Sequence, residues 1–294
     1  MQLISLLLSV ILALTPGFAF LEPAWDVPHD YSISRQAREM ITEEQLAEVD
    51  LVMQELKAAS PESGMLDFFP LTLLDDFWQS LVVAYTHACF YSINDGLNVA
   101  EALYIQFAIA GQSTALSMLL YDLDEQPMEY DANQHFTWGF NSTKVVGLDK
   151  SRIHLNNYEI AVMFRRPVVD FMLERYSELL GEGQGEWQAR WNAWVEGGAY
   201  GLNRREIMLE ECKDFEGFNK HFTDDDMMDL WNNEKGRQAY LNSNLLSGFA
   251  FQQFRRAWDN GELIENYEPG TVTEEHRRFI FENTYLWNPT VQAP

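Results

Sequence analysis

The chain has 294 residues, of which 47% are hydrophobic and 14% aromatic, and this composition excludes a disordered chain. Its formal net charge of −25 argues against nucleic acid or an anionic membrane surface as a partner, since both require clustered Lys and Arg. Neutral or cationic partners, whether small molecules or proteins, fit this charge better. The plainer alternative is that the acidity keeps the protein soluble.

The first twenty residues have the pattern of a secretory signal peptide. An apolar run extends from Leu3 to Leu14, and the small residues Gly17 and Ala19 provide a cleavage site. We therefore predict a signal peptide at 1–19, a mature domain at 20–294 and a secreted protein. The n-region lacks Lys and Arg, which leaves an uncleaved membrane anchor as the alternative. No later segment is predicted to reach transmembrane length.

Two further features bear on an extracellular setting. Cys89 and Cys212 are the only cysteines, and they can form one disulfide in an oxidising compartment. Cys89 lies in an apolar run, so a buried free thiol is equally consistent with the sequence. Asn141 begins an Asn-Ser-Thr sequon, which predicts N-glycosylation at a surface position.

Apolar residues recur mainly at helical spacing, and strand-like alternation is nearly absent. The expected fold is all-α, a single domain of about nine or ten helices around a central apolar hairpin, with a subdomain break possible near 181–186. In chain order, the predicted helices cover 43–59 behind a capping box at Thr42, 71–93, 98–120, 130–140, 157–179 with a kink or restart at Pro167, 202–212, 224–241, 245–258 and 273–283. Helices 71–93 and 98–120 form the hairpin.

Three tryptophans, Trp187, Trp191 and Trp194, recur at roughly helical spacing. An aromatic stripe of this kind is typical of core packing, more often than of a ligand site.

The helix predicted at 224–241 carries the densest polar pattern of the chain. Thr223 is an N-cap candidate, and a cluster of aspartates follows it in the first turn. One face of this helix carries Asp225, Asp229, Asn232, Asn233, Gly236 and Arg237. The pattern indicates either an ordinary solvated face or a buried polar cluster that supports a site.

A second polar pattern lies in the predicted helix at 130–140. Asp131, His135 and Trp138 share one helical face, at spacings of four and seven residues. A carboxylate one turn before an imidazole can hold its tautomer or join it in ligating a metal.

Together these segments resemble a known family. The motif Asp131-Ala-x-x-His135-x-x-Trp138, then Glu159, then Met228-Asp-Leu-x-Asn-Asn-x-x-Gly-Arg237, is similar to a signature of uncharacterised, mostly bacterial domains of unknown function. The chain departs from that signature at Tyr158 and Trp231, where the family has histidines. The resemblance implies no established activity.

From these residues we predict a hydrolase-like enzyme with a His/Asp/Glu centre, in which a divalent metal is one option. His135 is the general base or a ligand, oriented by Asp131, and Asp229 acts with it. The predicted metal ligands are His135, Glu159 and Asp229, and the predicted binding residues are Trp138, Asn232, Asn233 and Arg237. The alternative is a non-catalytic secreted binding or structural protein.

A third interpretation comes from Asp225-Asp226-x-x-Asp229. This motif resembles the magnesium-diphosphate motif of class I terpenoid synthases, which are also all-α. The sequence has no second metal motif of that family.

Overall fold

Helices account for all regular structure in the described residues, which are 41–59, 76–121, 125–243, 249–266, 268 and 270–283 of the computed structural model. The all-α prediction is confirmed. The signal peptide predicted at 1–19 lies outside the described residues.

Ten helices are present in this part of the chain, and they pack into one compact domain. They are α1 (Glu43–Ala59), α2 (Asp76–Asn94), α3 (Val99–Leu120), α4 (Pro127–Val146), α5 (Leu148–Gly181), α6 (Glu186–Glu211), α7 (Phe215–His221), α8 (Asp224–Leu241), α9 (Ala250–Asp259) and α10 (Glu274–Glu282).

Side-chain caps fix several helix starts where the sequence predicts them. The Thr42 hydroxyl accepts from the Gln45 N–H, and the Gln45 side chain accepts from the Thr42 N–H, which forms the capping box of α1. Asn98 and Thr223 make the same reciprocal arrangement at α3 and α8. Each box satisfies backbone donors that a helix start would otherwise leave unpaired.

Helix α3 is not uniform. Its middle part, Tyr104–Ile109, is π-helical, between α-helical turns at Val99–Leu103 and Ala110–Leu120. Among the described helices, α3 alone has the length and apolar composition of a membrane span, contrary to the sequence prediction, although core helices meet this criterion as well.

Helix α5 begins nine residues earlier than predicted and runs for 34 residues. Gly147, at φ 90°, separates it from α4, and a glycine adopts this left-handed conformation without the strain that a side chain would add. The prediction was wrong because the first turn, Asp149 to Arg152, is polar and shows no apolar period. Pro167 lies inside the helix, which continues past it.

Helix α2 packs along α5 over much of its described length and meets α3 near the turn that joins them. The main apolar core joins α1, α2, α5, α6, α7 and α8. Smaller clusters lie around Trp138, under α3, and around Phe254, between α4 and α9. Helix α8 therefore lies with its apolar side on the main core and its polar side against α4 and α5.

One sequence prediction needs correction, and the structure decides between two alternatives that the sequence left open. Trp194 is fully buried, but Trp187 is 47% exposed and Trp191 is only partly buried, so the tryptophan stripe is core at one end only. Cys89 and Cys212 do not form the disulfide: both are buried free thiols, and they pack in different apolar clusters.

Candidate functional site

Two glycines let helices α4 and α8 touch backbone to backbone. A Cβ on Gly236 would lie 2.0 Å from the carbonyl oxygen of Phe136, and a Cβ on Gly139 would lie 2.1 Å from that of Asn233. No side chain larger than a hydrogen atom fits at either of the two points where the helices cross. At this separation, short aspartate and asparagine side chains on α8 can reach an imidazole on α4.

His135 is the centre of the polar cluster that results. Its Nε2 lies 3.4 Å from Asp229 Oδ1 of α8 and 3.7 Å from Asp131 Oδ1 of α4. Its Nδ1 lies 3.2 Å from Asn233 Nδ2 and 3.5 Å from Glu159 Oε1 of α5. Asn233 Nδ2 also donates to Glu159 Oε1 at 3.1 Å. Three helices, distant in sequence, therefore meet around one ring.

Exposure falls across the cluster from Asp131 to Glu159. The side chain of Asp131 is 33% exposed and that of Asp229 is 18% exposed, whereas those of His135 and Glu159 are 7% and 3% exposed. Solvent reaches the cluster from the Asp131 side, and the Glu159 side is closed.

Burial and repulsion between carboxylates shift the pKa values of this cluster. Burial, reinforced by the charges of nearby aspartates, raises the pKa of Glu159 and of Asp229 well above their usual range. Burial also lowers the pKa of His135, although Asp131 and the Asn233 hydrogen bond act in the opposite direction. The site is therefore short of positive charge.

The cluster has the donor set of a divalent cation site. Ligand atoms of Asp131, His135 and Asp229 lie within 4.8 Å of one another, and this is the one such group in the described residues. Metal–ligand bonds of about 2.1 Å place neighbouring ligand atoms about 3 to 3.5 Å apart, close to the 3.4 and 3.7 Å that separate His135 Nε2 from the two carboxylate oxygens. Asp229 Oδ1 is buried and accepts no hydrogen bond, as expected of an oxygen that needs a cation or a proton.

Glu159 was predicted as a metal ligand together with His135 and Asp229, but it lies at the other nitrogen of the His135 ring. It faces Nδ1 of His135, whereas Asp131 and Asp229 face Nε2. A carboxylate on the far ring nitrogen is the usual partner of a metal-binding histidine, because it accepts the other N–H and fixes the tautomer. The geometry thus gives Asp131 the ligand position and Glu159 an orienting one.

The other predicted binding residues divide between the site and its surroundings. Asn233 belongs to the site. Trp138 is buried beside it, and its ring centroid lies 6.3 Å from that of His135 and 4.7 Å from that of Tyr158. Asn232 lies elsewhere: its amide donates to the carbonyl oxygen of Ile264 and accepts from the Ile264 N–H. It ties α8 to the segment before α10.

Arg237, also predicted to bind a ligand, belongs to a buried ionic network that the sequence analysis missed. Its Nε donates to Glu234 at 2.7 Å, and Arg152 donates to the same carboxylate with two nitrogens. Burial alone would raise the pKa of Glu234, but the two guanidinium groups lower it to about 2. The available signal was the favourable order of an acid three residues before a base, Glu234 and then Arg237, on one helix.

The Asp225-Asp226-x-x-Asp229 motif is divided among different roles. Asp226 accepts from the N–H and the hydroxyl of Thr223 in the capping box of α8. Asp229 faces His135. Asp225 lies at the surface, and its pKa is raised because neighbouring groups partly remove water from its carboxylate and because Asp131 and Asp226 are negatively charged.

The sequon at Asn141 lies inside helix α4. Ser142 and Thr143 are buried, and the Thr143 hydroxyl donates to the carbonyl oxygen of Gly139. Asn141 itself is partly exposed, and its glycosylation stays a prediction.

No family model, curated protein or solved structure matches the chain significantly.

Proposed function

We propose that the chain is a hydrolase-like enzyme in which Asp131, His135 and Asp229 hold a divalent cation. The observation that carries this proposal is the convergence of two carboxylates on Nε2 of His135, while a third carboxylate, Glu159, faces Nδ1. A bound divalent cation supplies Lewis-acid activation in hydrolysis.

The protein's own groups would set the protonation state of His135. When Nε2 is free to carry the proton, it can donate to Asp229, and Nδ1 accepts from Asn233. With a cation on Nε2, the ring proton would lie on Nδ1, where Glu159 Oε1 would accept it. Asn233 holds that Glu159 oxygen through its own amide, so it acts as a positioning residue.

The exposure gradient supports an accessible site over a sealed one. Asp131 opens to solvent at the edge of the cluster, and the ring and Glu159 lie behind it. A reacting group can therefore approach from the Asp131 side. The carboxylates favour a neutral or cationic substrate, or an anionic one only where a cation offsets their charge.

Cation binding is the first test. After treatment with a chelator, we expect the protein to bind one divalent cation per chain from among Mn²⁺, Zn²⁺, Mg²⁺ and Ca²⁺ by isothermal titration calorimetry. The free energy of unfolding should rise by about 2.7 kcal/mol at a hundredfold excess over the dissociation constant. Asp229→Asn should lose this binding, and Asp149→Asn, which removes an exposed carboxylate of α5, should keep it.

Hydrolysis is the second test. The cation-loaded protein is incubated with chromogenic esters, amides and phosphodiesters, with Asp229→Asn as the inactive comparison. If no cation binds under any condition, the metal-assisted mechanism is wrong. If a cation binds but no substrate is cleaved, the site is a structural metal centre.

A non-catalytic binding or structural protein is the second candidate. It is favoured by the near-complete burial of His135 and Glu159, because buried polar networks also serve to fix helix packing. It predicts that no hydrolytic activity is found and that Asp229→Asn changes only the stability of the protein. Membership of the resembling bacterial family and secretion both stay predictions.

A further inference from the structure

A groove between α1 and α6 has the composition of a ligand site, and none of its lining residues takes part in the His135 cluster. Its volume is about 590 Å³, within the range of about 300 to 1,000 Å³ usual for small-molecule sites. Its lining includes Asp50 and Gln54 of α1 and Trp187, Trp191 and Glu196 of α6. We call it the tryptophan groove.

Two stacked indoles form one wall of the groove. The rings of Trp187 and Trp191 are nearly parallel, at 10°, with centroids 5.7 Å apart. Trp187 is 47% exposed, although its neighbour two turns on, Trp194, is fully buried. An exposed indole of this size is a poor contribution to a core and a good surface for a ligand.

The carboxylate of Asp50 stands beside these rings. It accepts from Trp191 Nε1 at 3.3 Å and from Gln54 Nε2 at 2.8 Å, and both donors are neutral. The second carboxylate of the groove, Glu196, is paired with Arg175. None of the described lining residues is basic, so the groove combines aromatic faces with negative charge.

We propose that the tryptophan groove binds a small organic cation of the quaternary ammonium or protonated amine class. A cation over an indole face is attracted by the ring quadrupole, and aromatic sites with a nearby carboxylate recognise ammonium groups in this way. The net charge of −25 draws such a ligand toward the protein. A neutral sugar could stack on the indole faces and donate hydroxyl groups to Asp50, but it would gain nothing from the attraction between opposite charges.

Matched pairs of probes separate the charge from the shape. Binding to the full chain is measured by isothermal titration calorimetry for choline and for its neutral isostere, in which carbon replaces the nitrogen. Benzylammonium and benzyl alcohol form a second pair. We expect each cation to bind at least tenfold more tightly than its neutral partner, since about 1.4 kcal/mol corresponds to a factor of ten.

Two variants and a control locate the binding. Trp187→Leu keeps apolar bulk but removes the aromatic face, and Asp50→Asn keeps the shape but removes the charge. Each should weaken choline binding about tenfold. Glu48→Gln removes a carboxylate of α1 outside the lining set and should bind choline as the unchanged protein does. The proposal is overturned if the neutral isosteres bind as tightly as the cations, or if neither cation binds. It is also overturned if neither variant weakens the binding of choline.

Discussion

His135 shows how one side chain can be given two different environments. Its Nε2 faces two partly exposed carboxylates, and its Nδ1 faces a buried carboxylate and an amide. The neutral ring can carry its proton on either nitrogen. Asp229 faces a proton on Nε2 and Glu159 faces one on Nδ1, whereas the Asn233 amide nitrogen can donate only to an unprotonated Nδ1. The exchange of a proton for a cation at Nε2 would decide between them.

Glu159 should reduce the stability of the cation-free protein at neutral and alkaline pH. Its pKa in the folded state lies above its ordinary value of 4.5, so the folded state binds more protons. Its stabilising contribution is present below about pH 4.5 and is lost as the pH rises toward the raised pKa. Glu159→Gln removes this titration. With chelator present, the variant should therefore gain stability relative to the unchanged protein as the pH rises from about 4.5 to 8.

Urea unfolding at several pH values measures this difference. Glu44→Gln, which changes an exposed carboxylate near the start of α1, controls for the loss of one negative charge from the whole protein. A stability difference that is constant with pH, or that grows in favour of the unchanged protein, would contradict the assignment of Glu159 as a buried, repelled acid.

Glu234 should behave in the opposite sense. Its folded pKa of about 2 lies below its ordinary value of 4.5, because Arg237 and Arg152 outweigh its burial. Its contribution is fully present above about pH 4.5 and is lost as the pH falls toward 2. At pH 7, Glu234→Gln should cost about 3 to 5 kcal/mol, since it leaves the buried guanidinium of Arg237 and the partly buried one of Arg152 without their carboxylate. The cost should shrink toward pH 2.

An exposed ion pair provides the comparison for Glu234. Glu274 pairs with Arg278 one turn along α10, with both side chains about half exposed or more. Glu274→Gln should cost less than about 1 kcal/mol by urea unfolding at pH 7. If the two variants cost the same, the buried network does not stabilise the fold as we infer.

At the scale of elements, the pair of α4 and α8 determines whether the site exists. The two helices cross where Gly139 and Gly236 remove the side chains between their backbones. The apolar residues of α8, including Met227 and Leu230, pack into the main core and fix its rotation. That rotation presents Asp229 and Asn233 to His135.

Gly236→Ala should separate these helices. The added Cβ would lie 2.0 Å from a backbone carbonyl, which cannot move as a flexible side chain can. The expected cost is about 2 to 4 kcal/mol, in the range of overpacked cores, even though alanine favours helix by about 1 kcal/mol. The cation affinity should fall as well, because Asp229 moves away from His135.

Gly181→Ala is the matched control for that substitution. Gly181 is the last residue of α5 and has no atom within 4 Å of an added Cβ. Thermal unfolding should show this variant unchanged or slightly stabilised. If Gly181→Ala lowers the stability as much as Gly236→Ala does, close packing is not the reason for the glycine at the helix crossing.

The sequence was sufficient for features that depend on neighbours along the chain. The capping box at Thr42, the N-cap at Thr223, and the shared face of Asp131 and His135 follow from spacing alone. Gly236 gives a signal of the same kind, because a glycine inside a helix indicates close packing.

Features that depend on how helices rotate against each other were not predictable in this way. Glu159 and Asp131 both lie near His135, and helical spacing cannot show which ring nitrogen each one faces. Trp187 and Trp194 share a stripe, but the core reaches only one of them. The start of α5 was missed because its first turn is polar, and only Gly147 marked the boundary.

For the whole molecule, the net charge of −25 means that any cation can stabilise the protein, whether or not it binds at the site. Dispersed negative charges repel one another and destabilise the compact state. Cations can relieve that repulsion in two ways, by general screening or by binding at the His135 cluster. The two effects differ in their dependence on salt.

Sodium chloride should raise the melting temperature of the protein without any specific site. Screening lengths fall from about 30 Å at 0.01 M to about 3 Å at 1 M, so surface repulsion is largely removed by about 0.5 M salt. Asp229→Asn should show nearly the same rise. A divalent cation, added at about 0.5 M sodium chloride, should then stabilise the unchanged protein further and leave Asp229→Asn unaffected, because buried charges are screened much less. If high salt abolishes the divalent response, the cations act on the acidic surface and the cluster around His135 holds none.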